Sequence, residues 1–423
     1  MTTPETNSET TSRANRSGTR GERWVSGGLV AGALLAGLAA VAAQQRGVAA
    51  TTPPPPPPAV ATPIAPAPAP AALAPVAPVA AAPKPRVDLV FALDTTGSMS
   101  GLIEGAKQKI WSIASFVARA QPTPELRVGL VAYRDVGDSY VTRVFDLDDD
   151  LDRVYKRLLS FHADGGGDGP EHVARALHES VHKMSWAQQT NGSVRLIYLV
   201  GDAPPHLDYQ DGYDLSRAAR AAANKGIQVH AIRCGNDPET ATSFRRVASL
   251  GHGEFLTIDQ DGGMRERRTP FDEELATLHD KLSDTVVAYG GAKGEATRGA
   301  LEAAAAAPAP VKAARAGYLS AKKDSAGPLA DDLVAGVASG RVDLKAVPAS
   351  ELPRSLAALP EDKRKEKVAL QARQRTELLD RIAKVSADRD AFLRKAPADG
   401  PAGFDGEVEK TVRKAGAAAG LRM

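Results

Sequence analysis

Three short segments of the chain carry oxygen-bearing side chains at spacings that suit a metal ion. The segment LDTTGSMS places Asp94, Thr96 and Ser98 at alternate positions of one tight turn. Asp202 follows the apolar run VRLIYLV, and Asp168 closes a run of three glycines before a helical pattern. Crowded carboxylates repel one another unless they are protonated or bridged by a cation. Because every group in this set offers oxygen, the set favours a hard ion, Mg²⁺, Mn²⁺ or Ca²⁺, over zinc.

Apolar runs that alternate with helical patterns must position these groups. Four segments read as buried strands: VDLVFAL, LRVGLVAY, VRLIYLV and IQVHAIR. GEFLTI (253–258) predicts a last strand, and 271–289 predicts a closing helix. YVTRVF (140–145) follows the second strand too closely for a crossover helix, which predicts an antiparallel edge strand. We therefore expect an α/β fold with a doubly wound, mostly parallel sheet, whose ligands bind at the carboxyl ends of the strands.

The residues at these strand ends resemble a known binding motif. Asp94-Thr95-Thr96-Gly97-Ser98 is similar to the Asp-x-Ser-x-Ser element of the metal-ion-dependent adhesion site in von Willebrand factor type A domains, with Thr96 in place of the first serine. Asp202 matches the aspartate that completes that motif. The resemblance covers residues 87–290. It implies that Thr96 and Ser98 bind the ion directly, that Asp94 and Asp202 often act through water, and that a partner fills one open position.

Asp168 departs from the family pattern, which usually has threonine at this position. A third aspartate makes the site more negative, so it should tighten the cation and weaken its attraction for an acidic ligand. The structural alternative is that these acids and hydroxyls cap helix N-termini, for example at Ser100 or Asp168.

A second motif supports a rival interpretation. HESVH, residues 178–182, matches the H-E-x-x-H pattern of zinc peptidases, in which His178 and His182 would bind zinc and Glu179 would act as the base. Leu177 and Val181 occupy the predicted core face of this helix, so the two histidines should lie to its side. The segment reads more simply as an exposed, charged flank of a helix.

Other polar residues fall in the predicted loops around the site. Three residues after the second strand should border the metal face and are candidates for partner contacts: Arg134, Asp135 and Asp138. Three histidines read as rim residues: His162, His172 and His206. The acidic run DLDDDLD, residues 146–152, lacks the glycine of a calcium loop and precedes a helix, so it reads as acids that favour a helix N-terminus.

The N-terminal segments predict export from the cytoplasm. Residues 1–23 are basic, and the uncharged run at 24–43 is about 20 residues long, which suits either a cleaved signal peptide or a membrane anchor. Residues 44–86 form a linker rich in alanine and proline that favours extended polyproline II structure. We expect the protein in the periplasm or at the cell surface, with residues 24–43 as a candidate anchor in the cytoplasmic membrane.

Residues 291–423 predict a mainly helical region without a catalytic pattern. Residues 361–395 read as one long helix with Leu378, Ile382, Val385 and Phe392 on a stripe, which suits a partner helix, a coiled-coil strand or packing on its own neighbours. The near balance of 53 basic and 51 acidic residues, with 5% aromatics, argues against nucleic-acid binding.

These observations together predict an exported, non-catalytic protein. Its divalent cation would hold a partner protein or an extracytoplasmic surface ligand. Two alternatives remain open: a zinc-dependent peptidase that uses HESVH, and a metal-free scaffold in which the Asp94 cluster only stabilises loops.

Overall fold

A computed structural model describes residues 84–423 except 168, 190–191, 265–266, 324–330 and 396–402. The predicted basic region 1–23, the hydrophobic segment 24–43 and most of the linker lie outside the described residues. The described residues form one sheet of six strands in the order β3-β2-β1-β4-β5-β6. The strands are β1 (Arg86–Asp94), β2 (Glu125–Tyr133), β3 (Thr142–Asp148), β4 (Ser193–Gly201), β5 (Gln228–Cys234) and β6 (His252–Ile258).

The pairing of the strands confirms the predicted topology. Every neighbouring pair is parallel except β2 and β3, which run antiparallel at one edge. That edge strand begins two residues later and ends three residues later than the predicted range 140–145. Leu93 of β1 pairs with Val200 of β4, so these two neighbours end side by side. The crevice at this switch in strand order is where such folds bind ligands.

Helices cover both faces of the sheet. The described helices are α1 (Ser100–Ala118), α2 (Leu151–Leu159), α3 (Val173–His182), α4 (Leu215–Asn224), α5 (Pro238–Leu250), α6 (Asp272–Ser283), α7 (Ala292–Ala305), α8 (Ala309–Ala321), α9 (Leu333–Ala338), α10 (Arg354–Ala357), α11 (Glu361–Lys395) and α12 (Phe404–Ala418). Side chains of β1 alternate between the faces, as a strand requires. Phe91 packs with α1 and α12, whereas Val90 packs with α3, α4 and α5. The closing helix, predicted over 271–289, is shorter than expected.

The C-terminal helices complete the core on the α1 face. Phe404 of α12 lies against Phe91, with ring centroids 5.8 Å apart. The hydroxyls of Tyr198 and Thr411 are hydrogen-bonded at 2.8 Å. On α8, the buried Arg315 makes two 2.6 Å hydrogen bonds to the carboxylate of Asp152 on α2. The tail therefore belongs to the same compact unit as the sheet.

The long helix α11 has the predicted bounds and packs within its own chain. It contacts α6, α8 and α9, and Ile382 of its stripe is fully buried. Phe392 is more exposed than the rest of the stripe, at 43%. Among the helices of the described part of the chain, none is both long and apolar enough to cross a membrane.

Candidate metal centre

The turn after β1 brings its three predicted ligands together. Asp94, the last residue of β1, accepts hydrogen bonds at Oδ1 from the backbone N–H of Thr96 (2.9 Å) and from its hydroxyl (2.6 Å). The hydroxyls of Thr96 and Ser98 lie 3.5 Å apart. No side chain caps α1 or the short 3₁₀ turn before it, and Ser100 is the first residue of α1 itself. The helix-capping alternative is therefore wrong for this turn.

Asp202 follows the last residue of β4 and faces the same crevice. Gly201, the last residue of β4, has no room for a side chain. A Cβ there would lie 3.2 Å from Oδ2 of Asp94 and 2.4 Å from the hydroxyl of Tyr133. The side-chain amide of Gln260, after β6, donates to Oδ2 of Asp202 and to the carbonyl of Ser98. Gln260 was not predicted from the sequence, because its position depends on the path of the loop after β6.

The glycine-rich loop packs directly on the Asp94 turn. Gly97 N donates to the carbonyl of Gly165 (3.3 Å), and Asp164 N donates to the carbonyl of Thr95 (3.1 Å). A Cβ on Gly166 would lie 3.2 Å from Cβ of Thr96, so the predicted close approach by glycine is present. Asp168 itself lies outside the described residues. We call the space bounded by residues 94–98, loop 164–167 and Asp202 the carboxylate crevice.

Glu171 is a buried acid at this crevice that the sequence motif did not predict. It is 2% exposed. Its N–H donates to Pro204 and its carbonyl accepts from the N–H of His206, which ties the glycine-rich loop to the loop after β4. Burial raises its pKa to about 9, with further contributions from Asp94 and then Asp135. The glutamate in GGGDGPEH was the available signal, since it follows Asp168 by only three positions.

The electrostatics of the crevice suit a hard cation. Burial raises the pKa of Asp94 to about 7; hydrogen bonds from Thr96 oppose this shift and the charge of Asp202 adds to it. Four buried carboxylate oxygens in and beside the crevice have no hydrogen-bond partner among the described residues: Asp94 Oδ2, Asp135 Oδ1, Glu171 Oε2 and Asp202 Oδ1. Buried carboxylate oxygens without partners are costly, and a divalent ion would satisfy them and favour the ionised form of these groups.

The donor set fits such an ion chiefly through oxygen atoms of different kinds. Within the described ranges, no group of three or more His, Cys, Asp and Glu residues has the arrangement of a metal site. The candidate set instead combines the carboxylates of Asp94 and Asp202 with the hydroxyls of Thr96 and Ser98. Asp168 would add to this set.

The loop after β2 borders the crevice, as predicted. Arg134 is buried, and it donates from Nε to the carbonyl of Thr95 (3.0 Å) and from Nη2 to that of His162 (2.8 Å). Both carboxylate oxygens of Asp138 lie 3.4 Å from the N–H of Gly166. These contacts hold the glycine-rich loop against the Asp94 turn, so Arg134 has an internal structural role.

The three predicted rim histidines differ in exposure. His172 is buried and its Nε2 lies 2.6 Å from Asp211. His206 stacks on Tyr209, with ring centroids 4.2 Å apart, and bonds Asp208 through Nδ1. The hydroxyl of Tyr209 donates to Asp135. His162 is exposed.

The HESVH segment lies on α3, but its acid is engaged by cations of the same helix and its flank. Glu179 is buried and accepts from Arg175 (3.1 Å) and Lys183 (2.8 Å). The rings of His178 and His182 lie with centroids 4.5 Å apart, and Lys225 contacts Nδ1 of His182. The prediction that the whole segment is an exposed flank is wrong for Glu179, because the flanking cations hold its carboxylate inside. A glutamate paired in this way is poorly placed to act as a base.

The acidic run before α2 behaves as predicted. Asp150 caps α2, and its Oδ1 accepts from the N–H groups of Asp152 (3.1 Å) and Arg153 (3.3 Å). Its carboxylate is therefore engaged by the helix N-terminus.

The fold and the crevice define a doubly wound α/β protein with an oxygen-rich site at the switch in strand order. Residues 88–251 match the family described as von Willebrand factor A domain. This match supports the assignment of that segment to the family and agrees with the resemblance of the Asp94 motif.

Individual relatives are distant. The chain is 28% identical over 121 residues to alpha-protein kinase vwkA of Dictyostelium discoideum, a match that covers 28% of this chain and 19% of that protein. It thus spans less than a fifth of that relative. Among solved structures, the vWF domain of the type V pili tip protein Mfa5 from Porphyromonas gingivalis is 13% identical (44% of this chain and 99% of that one covered, TM-score 0.33). An aerotolerance-related membrane protein from Bacteroides fragilis is 18% identical (42% and 94% covered, TM-score 0.29).

Proposed function

We propose that this chain is a non-catalytic binding protein that holds a partner through a divalent ion in the carboxylate crevice. Thr96 and Ser98 would bind the ion through their hydroxyls, and Asp94, Asp202 and Asp168 would supply negative charge directly or through water. The observation that carries this proposal is the pair of unpartnered buried oxygens, Oδ2 of Asp94 and Oδ1 of Asp202, at the strand ends. Mg²⁺ is our first choice and Mn²⁺ or Ca²⁺ the alternatives, because all donors are oxygen.

The von Willebrand factor A match suggests a protein-binding role, which makes a partner protein or a surface ligand the proposed target. We place this role outside the cytoplasm, because the basic segment 1–23 and the uncharged run 24–43 favour export. The runner-up, a zinc peptidase, is disfavoured by the pairing of Glu179 with Arg175 and Lys183.

Calorimetric titration of the full chain with Mg²⁺ and Mn²⁺ tests the metal site. The full chain is needed because the C-terminal helices form part of the core. We expect saturable binding that is lost in Asp94→Asn. The control Asp380→Asn, on the exposed face of α11, should keep it. Absence of binding of any divalent ion would refute the site, and stoichiometric zinc that survives Asp94→Asn would support the HESVH interpretation instead.

Partner binding needs a separate test. Cell-surface proteins retained by the immobilised chain in Mg²⁺ should be released by EDTA, and Asp94→Asn should not retain them. Retention that is unaffected by both changes would support the metal-free scaffold.

A further inference from the structure

A cavity of about 510 Å³ lies between α1, α8, α11 and α12. Its lining on α1 begins at Gln108, in the C-terminal half of that helix, and continues to Arg119, which directly follows the helix. The carboxylate crevice lies beyond the other end of α1, next to Ser98. The cavity is therefore a separate feature, which exists only because the C-terminal helices pack against α1.

The walls of this cavity are unusually polar for facing helices. Helices that only pack together present apolar stripes to each other and fill the space between them. Here α12 instead presents Asp405, Glu409 and Arg413, one helical turn apart. Arg389 and Asp390 of α11 line the opposite side. Charged residues in these positions hold open a volume that water or a ligand can enter.

Positive side chains outnumber negative ones in the lining. The acids are Asp390, Asp405 and Glu409, and burial, followed by the charge of Asp405, raises the pKa of Glu409 to about 7, so its negative charge is only partial near neutral pH. Asp390 pairs with Arg119, and Asp405 pairs with Lys109. The cationic residues of the lining are Lys109, Arg119, Arg267, Arg389, Arg394 and Arg413. Arg413 donates to the carbonyl oxygen of Met423. Arg389 pairs with Asp272, an acid outside the lining, so the net positive charge is smaller than this count. The remaining excess of positive charge favours an anionic ligand.

An unpartnered hydroxyl lies in the buried part of the lining. Ser386 is only 8% exposed, and its Oγ has no hydrogen-bond partner within the described part of the chain. Ser115 accepts a hydrogen bond from Nη2 of Arg119 at 2.7 Å. These polar atoms surround Gly317 of α8, where a Cβ would lie 3.3 Å from Oγ of Ser115, 3.4 Å from Nη2 of Arg119 and 3.5 Å from Oγ of Ser386. A buried hydroxyl without a partner commonly marks the place of a missing hydrogen-bonding group.

Apolar side chains from three of the helices also line the cavity: Phe116, Val311, Ala314 and Leu393. A ligand that used the whole cavity would therefore join a charged group to an apolar body. We propose that this cavity binds a small amphipathic organic anion, with its acidic group near Arg119 and Ser386 and its apolar part against α8. This site is independent of the proposed metal site.

Matched probes that share one carbon chain test the proposal on the full chain. We would titrate with decanoate, with decylamine and with inorganic phosphate by calorimetry, below micelle-forming concentrations. We expect one equivalent of decanoate to bind and to raise the unfolding temperature, with at least tenfold weaker binding of decylamine and of phosphate. Equal binding of decanoate and decylamine, or tighter binding of phosphate alone, would overturn the proposal.

Three variants locate the binding on the protein. Ser386→Ala removes the unpartnered hydroxyl, Ala314→Leu fills the cavity, and Arg394→Gln removes a lining charge. Each should weaken decanoate binding, by about tenfold for Ser386→Ala, which corresponds to the loss of one good hydrogen bond. The control Arg373→Gln lies on an exposed part of the same helix as Arg394 and should leave the affinity unchanged.

Circular dichroism and thermal unfolding establish that each variant is folded. If Ala314→Leu does not fold, Ser386→Ala and Arg394→Gln still decide the matter, because neither removes a packed apolar group. Unchanged decanoate affinity in both would place the binding elsewhere and refute the proposal.

Discussion

Glu171 should strengthen cation binding although it lies outside the recognised motif. Burial is the largest cause of the raised pKa of Glu171. The charges of four nearby acids raise it further: Asp94, Asp135, Asp138 and Asp202. A cation in the crevice would stabilise all of these charges together.

We therefore predict that Glu171→Gln weakens Mn²⁺ binding by about tenfold or more, the range typical of groups that support metal ligands. Calorimetric titration measures the change. The control is Glu179→Gln, a second buried glutamate that lies on α3 and pairs with Lys183. It should lower stability but keep Mn²⁺ affinity within about twofold. An unchanged affinity in Glu171→Gln would exclude this carboxylate from the site.

His279 is a buried, titratable residue of α6 at the contact between α6 and α8. Arg315 donates to Nε2 of His279 (2.8 Å), and Nδ1 lies 2.9 Å from Asp280. Because arginine stays protonated, Nε2 must accept and the ring must be neutral. Burial, and then the charge of Arg315, lower the pKa of His279 to about 4, although Asp280 and Asp152 act in the opposite direction.

This arrangement predicts loss of stability in acid. Between pH 6.5 and 4 the unfolded chain binds a proton at His279 that the folded chain does not. The free energy of unfolding therefore decreases as the pH is lowered through this range. Relative to His279→Gln, the wild type should lose on the order of 2 kcal/mol more between pH 7.5 and 5. Urea unfolding at both pH values measures this difference. The exposed His162→Gln should follow the wild type, and parallel curves for His279→Gln and the wild type would contradict the prediction.

The types and positions of residues in the sequence predicted only part of the site. The unpredicted part has a physical cause. Asp94 and Asp202 could be placed together from the sequence because parallel neighbours in a sheet end at the same edge. Glu171 and Gln260 could not, because their side chains reach the crevice only through the paths of two loops. The position of Asp168 stays a prediction.

At the level of elements, α12 takes part in the core of the sheet. Phe404 is 2% exposed and lies between α1 and the sheet, near Phe91. Removing a buried phenylalanine costs the transfer of its ring from water and leaves a cavity. Phe392 of α11 offers a matched comparison, because it is 43% exposed and meets Phe271 only edge-on.

We predict that Phe404→Ala lowers the free energy of unfolding by about 3 kcal/mol, whereas Phe392→Ala lowers it by less than about 1 kcal/mol. Urea unfolding followed by circular dichroism measures both. A loss of less than about 1 kcal/mol for Phe404→Ala as well would mean that α12 contributes little to the stability of the sheet.

Strong periodicity made some elements predictable and left others unrecognised. The long charged helix α11 could be bounded from the sequence because Pro360 precedes it and good helix formers fill it. The role of α12 could not be predicted, since Phe404, Val408 and Val412 form a stripe only one residue wide. Its docking on the sheet joins residues more than 200 positions apart, which local patterns do not encode.

At the scale of the whole molecule, α12 begins directly against the loop after β6, whose Gln260 bonds Asp202. Phe404 N donates to the carbonyl of Gly262 (2.9 Å), and a Cβ on Gly403 would lie 2.4 Å from the carbonyl oxygen of Gly263. A shift of this loop would therefore reach the carboxylate crevice through contacts between packed groups.

Gly403→Ala should consequently weaken Mn²⁺ binding several-fold, because the loop must move to admit the methyl group. Calorimetry measures the affinity. Gly416→Ala is the control on the same helix, where the nearest obstacle is the flexible end of Met423. If both variants bind Mn²⁺ like the wild type, the start of α12 and the crevice are not coupled.

The N-terminal segments give the last prediction, which concerns where the whole molecule functions. Arg13, Arg16, Arg20 and Arg23 precede the uncharged run 24–43, and a basic flank before an apolar segment keeps that flank in the cytoplasm while the following chain is exported. Alkaline phosphatase fused after residue 86, which is active only outside the cytoplasm, should therefore be active in a bacterial host. Replacing Leu34 and Leu35 with arginine should abolish this activity, because each charge in the apolar run costs roughly 3 kcal/mol on insertion. The same two charges placed at Thr51 and Thr52 of the linker should leave it intact. Activity that survives both pairs of substitutions would show that residues 24–43 do not direct export.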